Sequence, residues 1–302
     1  ITGSSGFVGG HLITHLAESG DEIALLDSSG TDRVDITSAS AVRKRIRAER
    51  PDAIYHLAAL SHIGSSWGAP NKVFRVNAEG TLNVLRAASN ANVDRVLVVG
   101  SADQYGRVAP EQLPITEDAP LQPMTPYGAS KVAAEFVALQ AFLGTGLPVV
   151  RVRAFNHTGP GQADRFVVSS IARHIAQAER DDEGELRLGS LDPIRDFTDV
   201  RDVVRAYRLL IERGVAGEVY NVCSGVGHSI ADVADRMLAL SERSMKLVVD
   251  PSLVRPVEVP ALVGNNSRLR AATGWSPIFA FDDTLRALLD DWRARLVNEA
   301  SP

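Results

Sequence analysis

Cysteine is all but missing from this chain: Cys223 stands alone among 302 residues. No internal disulfide can form, and a reducing, cytoplasmic setting is the expectation. There is no basic excess either. The formal charge is −5, which argues against nucleic acid, whose binding needs a positive footprint. No apolar run approaches the roughly 18–20 residues of a membrane span, so no membrane partner is expected. Signal-peptide character, internal repeats and low-complexity tracts are also absent, and the chain is expected to open inside its first strand. No His, Cys or acidic residues fall at metal-ligand spacing. His174 and His228 carry no motif, and "RKRIR" reads as a solvated helix face.

What remains is an ordinary globular composition, 45% apolar and 23% charged, long enough to bury a large core as one big domain or two intimate ones. "DEIALLD", "PDAIYHLAA", "DRVLVVGS" and "LPVVRVRAFN" read as buried strands, being apolar runs bounded by turn or polar residues. Between them, "GGHLITHLAESG", "SASAVRKRIRAER", "NAEGTLNVLRAASNAN" and "SKVAAEFVALQAFLG" place apolar residues near a 3.6 period. The alternation predicts an α/β fold, a Rossmann-type parallel sheet with helices on both faces. Past Asn156 the pattern loosens into short strands, loops and helices, among them "SIADVADRMLALS" with Ser229 as N-cap. A dinucleotide-binding part over 1–156 is therefore expected, with segments near 197–224 adding to it, and a smaller α/β part over 157–302. Substrate should lie between the two, beyond the carboxyl ends of the strands.

"ITGSSGFVGGHL" sets Gly3, Gly6 and Gly9 in a G-x-x-G-x-x-G turn, with Phe7 and Val8 opening the helix that follows. Such a turn lets a pyrophosphate approach the backbone and rest on a helix N-terminus. Asp27 lies roughly 20 residues on, where a carboxylate binds the adenosine ribose and repels a 2′-phosphate. That tilts the cofactor towards NAD, while Arg33 keeps NADP open. Asp35 and Ile36 in "VDI" suit the adenine, and Leu57, Ala58 and Ala59 form a small-residue strand end that a cofactor could approach.

"YGASK" puts Tyr127 and Lys131 on one helix face. A nearby ammonium, together with the positive nicotinamide ring when the cofactor is oxidised, is expected to lower the tyrosine's pKa by roughly 1–3 units and make it a proton donor to an oxygen gaining or losing charge during hydride transfer. Ser101, after a strand in "GSADQYG", could hydrogen-bond the same oxygen. His62 in "LSHIGSSW" is open between a substrate contact and a structural loop residue.

Together with "FNHTGPGQ", "GSLDPIRDFTDVRDVV", "YNVCSG" and "RPVEVPALVGNNSRLRAATGWSP", these motifs resemble the extended short-chain dehydrogenase/reductases that modify nucleotide sugars. Within that branch the chain is similar to the GDP-4-keto-6-deoxy-D-mannose reductases and their relatives, the GDP-mannose 4,6-dehydratases. The resemblance makes Ser101, Tyr127 and Lys131 the catalytic set. It puts His157 by the nicotinamide and implies that Asn156, Val167, Arg195, Arg255 and Glu258 hold a GDP-sugar. On the residues alone, a salt bridge from Arg195 to Asp196, Asp199 or Asp202 is the favoured reading. The resemblance further implies NAD or NADP as cofactor, in its reduced form as hydride donor, and a homodimer joined through Phe74–Ala91 and Ala129–Leu143. The implied reaction is reduction of the 4-keto group to GDP-6-deoxy-D-mannose. A 4,6-dehydratase, a nucleotide-sugar 4-epimerase and a catalytically silent NAD(P)-sensing protein are the alternatives. Related dehydratases carry polar or acidic residues after the catalytic Ser/Thr, ending in glutamate; here those positions hold Ala102 and Asp103.

Overall fold

A computed structural model describes residues 1–28, 33–181, 184–253 and 259–299. Its central sheet is parallel, with strands Ala53–His56, Arg95–Val99, Val149–Ala154 and Val219–Val222 in that order. Thr2 bridges both Leu26 and His56 in parallel, which extends the sheet beyond Ala53–His56. The strand order therefore reverses between Thr2 and His56, and a crevice at such a reversal is where open α/β sheets bind ligands.

The period of two along each strand splits its side chains between two helical layers. Val96, Val98 and Val149 face the helices Ala39–Glu49, Gly80–Asn90 and Pro126–Thr145, through Val42, Ile46, Val84, Leu85 and Ala138. Leu97, Val150 and Val152 face Phe7–Glu18 and Val200–Arg213, through Leu12, Leu16, Val203, Tyr207 and Leu210.

Three sequence readings needed adjustment. "DEIALLD" enters the sheet only as the Leu26 bridge, and Leu25 is exposed, while Leu26 and Ile23 pack into the cores on the two sides of the sheet. "VVRVRAFN" is two strands: the chain leaves the central sheet after Ala154, and Asn156–Thr158 starts a second sheet beside Ile194–Asp199. "NAEGTLNVLRAASNAN" opens with a π-helical turn, Arg75–Glu79, a widening that often marks functional sites.

The second sheet orders Ala261–Leu262, Ile194–Asp199 and Asn156–Thr158, with Gly227–Ser229 antiparallel to Ile194–Asp199. A two-stranded parallel sheet, Glu185–Leu188 with Lys246–Val249, lies beside it in sequence. The core of this half joins Ile171, Ile175, Leu186, Phe197, Val233, Met237, Leu288 and Trp292. Ser229 caps its helix by accepting from the Asp232 amide, as the sequence suggested.

Candidate active site

The glycine turn sits at the strand reversal. Gly3 has φ +69°, and a Cβ there would lie 2.7 Å from the Ala58 amide nitrogen, so the first turn and the Leu57–Ala59 strand end nearly touch. Gly6 begins the helix Phe7–Glu18, which has no side-chain cap and no acid in its first turn. A bare helix N-terminus beside a glycine turn suits a pyrophosphate. Asp27 Oδ2 accepts from the Ser5 amide at 2.6 Å and the Ser4 hydroxyl at 3.1 Å, so it reaches back over this turn. Asp35 instead accepts from the Thr37 amide and hydroxyl, which hold its carboxyl below the usual range. Ile36 is buried against Gly80. Arg33 is exposed.

Beneath the turn, His56 is buried and neutral. The Thr81 hydroxyl donates to Asn77 O, so His56 Nε2 donates to Thr81 at 2.9 Å and Nδ1 accepts from Thr2 at 2.7 Å. Thr2 in turn accepts from the Ala58 amide. Burial first, then the Lys131 charge, pushes the imidazole down to about 3. The chain of bonds fixes the strand end that the sequence assigned to the cofactor.

Ser101, Tyr127 and Lys131 all come from the carboxyl edge of this sheet and are less than a tenth exposed. Thr125 caps the helix Pro126–Thr145 through the Gly128 amide, placing Tyr127 in its first turn and Lys131 one turn on. Tyr127 hydrogen-bonds Ser101. Lys131 Nζ donates to Val99 O at 2.7 Å, and burial pushes its ammonium down to about 8. The expected lowering of Tyr127 is corrected: its pKa is raised, by burial and then by the Asp103 carboxylate, with only the Ser101 hydrogen bond opposing. Spacing alone misled, because the Lys131 ammonium is held on a backbone carbonyl.

Several residues here escaped the sequence reading. Asn77, in the π-helical turn, bonds both the amide and carbonyl of Leu60 and donates to Ser130 Oγ at 2.9 Å. A polar residue inside the apolar "VFRVNAEG" run was its only signal. Glu135, one turn beyond Lys131, is 2% exposed and accepts from Arg151, Arg153 and Gln104.

Among the residues that the resemblance assigned to the sugar nucleotide and nicotinamide, Asn156 is exposed and His157 half-buried. The His157 ring stacks on Phe7 at 6.2 Å and its Nδ1 donates to Phe155 O, which brings the second sheet to the glycine turn. Burial lowers its pKa. Val167 opens a helix seated by Ser169, whose hydroxyl donates to Gln162 O and accepts from Trp292. Arg195 is half-buried, and Nη1 donates to Ile194 O. Asp196 takes the amides of Ser224, Gly225 and Gly264, Asp199 takes Arg201 and Asp202 takes Arg205. His62 is half-buried, its ring 3.0 Å from where a Gly64 Cβ would sit. Arg255 and Glu258 lie outside the described residues. Among the described residues no cluster could hold a metal.

A dinucleotide turn, a serine and a Tyr-x-x-x-Lys helix at one sheet edge define an extended short-chain dehydrogenase/reductase, an NAD(P)-dependent oxidoreductase acting on nucleotide sugars. The sequence profile of the GDP-mannose 4,6 dehydratase family matches residues 1–288, and the chain belongs to that family. It is 38% identical over 99% of its length to the GDP-6-deoxy-D-mannose reductase of Pseudomonas aeruginosa, covering 98% of that protein. The solved structure of RMD from Pseudomonas aeruginosa complexed with NADPH superposes with a TM-score of 0.88, at 37% identity, over 97% of each chain. The Thermus thermophilus UDP-glucose 4-epimerase complex with NAD superposes at 0.87, with 28% identity over 97% of each chain. The α/β Rossmann-type architecture is thus that of known reductases and epimerases.

Proposed function

We propose that this chain reduces the 4-keto group of GDP-4-keto-6-deoxy-D-mannose to GDP-6-deoxy-D-mannose (GDP-D-rhamnose), with NADH or NADPH. The observation that carries the reading is an intact Ser101–Tyr127–Lys131 set followed by Ala102 and an Asp103 carboxylate already bonded to Ser101. Full-length similarity to the Pseudomonas reductase supports it.

Gly3, Gly6, Phe7, Val8 and Gly9 would hold the pyrophosphate, Asp27 the adenosine ribose, and Asp35 and Ile36 the adenine, with Leu57–Ala59 a strand end against which the cofactor lies and His157 by the nicotinamide. When bound, the reduced nicotinamide supplies the hydride that reaches C4. Tyr127 gives its proton to the oxygen that becomes an alkoxide. Burial keeps its phenol neutral, and a neutral phenol is the form that keto reduction needs. Ser101 steadies the same oxygen by hydrogen bonding. Lys131 would hold the nicotinamide ribose. Asn156, Val167, Arg195, Arg255 and Glu258 would hold the GDP-sugar, the arginines through forked donors suited to phosphate oxygens.

The chain would then comprise a cofactor part, 1–156 with segments near 197–224, and a mainly nucleotide-sugar part, 157–302, and would act as a cytoplasmic homodimer. Supporting a seam through the helices Phe74–Ala91 and Ala129–Leu143, Phe74, Phe136 and Leu143 are exposed apolar side chains on those stretches. No helix of the described residues is long and apolar enough to cross a membrane.

The direct test supplies GDP-4-keto-6-deoxy-D-mannose with NADH or NADPH, following cofactor oxidation and product configuration. Stoichiometric oxidation with a manno-configured product is the expected result; no oxidation of either cofactor would overturn it.

A further inference from the structure

We propose that Gln104 is a positioning residue for Ser101, held in that role by Glu135, so that the serine is registered directly to the helix carrying Tyr127 and Lys131. This rests on the reading that Ser101 acts in keto reduction.

Ser101 caps the short 3₁₀ turn Ala102–Gln104 in a reciprocal box: its hydroxyl accepts from the Asp103 amide, and Gln104 Oε1 accepts from the Ser101 amide at 2.7 Å. The other end of the same carboxamide donates Nε2 to Glu135 Oε2 at 2.6 Å. An ionised carboxylate only accepts hydrogen bonds. Glu135 therefore fixes which end of the amide faces Ser101, since a flip would set oxygen against oxygen and N–H against N–H. The carboxylate is held in turn by Arg153, through Nε at 2.9 Å and Nη2 at 2.7 Å, and by Arg151 Nη1 at 3.2 Å.

Gln104 is fully buried. A Cβ on Gly100 would lie 2.3 Å from its Oε1, so the glycine before Ser101 leaves room for the amide. Glu135 and Lys131 are four residues apart on one helix, hence one turn. Beside the direct Tyr127–Ser101 hydrogen bond, a second path from the helix of Tyr127 and Lys131 to Ser101 thus runs through a single carboxamide with both ends bonded. Substrate is not needed to align the serine with the tyrosine.

The test is a double-mutant cycle on keto-sugar reduction with Gln104→Met, which keeps the chain length and removes both hydrogen bonds. A shift of about 1 Å in a reacting group costs roughly 10²-fold, so partial loosening should lower kcat about tenfold, with KM within about twofold. In a Ser101→Ala background, where no hydroxyl remains to position, Gln104→Met should change kcat by less than about twofold, a non-additivity that a general loss of stability does not produce. Thermal melting and cofactor binding by fluorescence monitor folding. If the methionine chain does not fold, Gln104→Asn, which withdraws the amide by one methylene, must show the same non-additivity. If Ser101→Ala impairs turnover while the two changes multiply, or Gln104→Met leaves kcat unchanged, the brace is overturned. If Ser101→Ala alone leaves turnover intact, the Ser101 assignment falls and takes the brace with it.

Discussion

The Ser101 hydroxyl is bonded twice to Asp103: Oγ donates to the carboxylate Oδ2 at 2.9 Å and accepts from the backbone amide at 3.2 Å. The same carboxylate is the second cause, after burial, that raises Tyr127. A negative charge beside a phenol disfavours the phenolate, so Asp103 helps to keep Tyr127 as an acid. Asp103→Asn removes the charge and retains an oxygen that can accept from Ser101. The phenol pKa should drop. Keto reduction needs the protonated phenol, so the alkaline fall of kcat should move to lower pH, with kcat at neutral pH reduced only a few-fold. An unmoved alkaline limb would show that Asp103 does not act on Tyr127.

Tyr127→Phe removes the proton donor and leaves the glycine turn untouched. Turnover should fall about 10²–10⁴-fold, as for loss of a general acid, while the cofactor still binds with near-native affinity. Turnover within about threefold of wild type, far short of that range, would sink the assignment.

Much of this site was legible because chemistry and spacing coincide there. Gly3, Ser101, Tyr127 and Lys131 are residue types whose reactions or backbone needs are visible one at a time, and the strand-helix alternation put them at one sheet edge. The Glu135–Gln104–Ser101 path was not legible. Its members lie 31 and 3 residues apart in pairs, and only the folded sheet makes a mid-helix glutamate a partner of a turn glutamine. Likewise Asn77 and His56 act through buried hydrogen bonds, which leave no periodic trace. The direction of the Tyr127 shift failed for a related reason: the i, i+4 spacing gives a shared face, but not whether the ammonium turns to the phenol or to Val99 O.

Asp27 reaches the first turn through the Ser5 amide, and on the proposed cofactor site its charge would face an adenosine 2′-phosphate. Wild type should use NADH at least as well as NADPH. Asp27→Ala should raise the ratio of kcat/KM for NADPH over NADH about tenfold, a change of about 1.4 kcal/mol. The Pseudomonas reductase structure holds NADPH, which makes this comparison informative. If NADPH is already preferred tenfold in wild type, Asp27 does not read the ribose, and Arg33 becomes the residue to vary.

Lys131 carries a stability cost. Burial lowers its pKa from 10.5 to about 8, so between those values the unfolded chain binds a proton that the folded chain does not. Stability contributed by this site therefore rises with pH across that window, and below about 8 the full cost is present. At about 1.4 kcal/mol per unit, the cost at neutral pH is on the order of 3 kcal/mol, partly offset by the bond to Val99 O. Lys131→Met should accordingly lose turnover yet melt higher than wild type at pH 7, with the gap closing as pH rises towards 10.5. A lower melting temperature for the methionine variant at pH 7 would contradict the sign.

A 4,6-dehydratase must oxidise C4, remove the proton at C5 and expel the C6 hydroxyl, so it needs an acid–base group beyond the tyrosine. Position 102 offers an alanine, buried with Tyr105, Ile115 and Phe155, which can neither donate nor accept. Position 103 offers a carboxylate one methylene shorter than glutamate, and its Oδ2 is bonded to Ser101. A displacement of about 1 Å costs roughly 10²-fold, and the Ser101 bond must also be broken before Asp103 can turn to the sugar. In reduction neither residue has to pass a proton to or from the sugar, although the Asp103 charge still acts on Tyr127. Incubated with GDP-mannose and NAD or NADP, the enzyme should give at most a trace of 4-keto sugar, while the 4-keto-6-deoxy sugar is reduced rapidly. Asp103→Glu lengthens the acid and should raise the trace, without reaching the rate of reduction because Ala102 still lacks a polar group. Efficient dehydration of GDP-mannose by the unaltered chain, with no reduction of the keto sugar, would reverse the assignment.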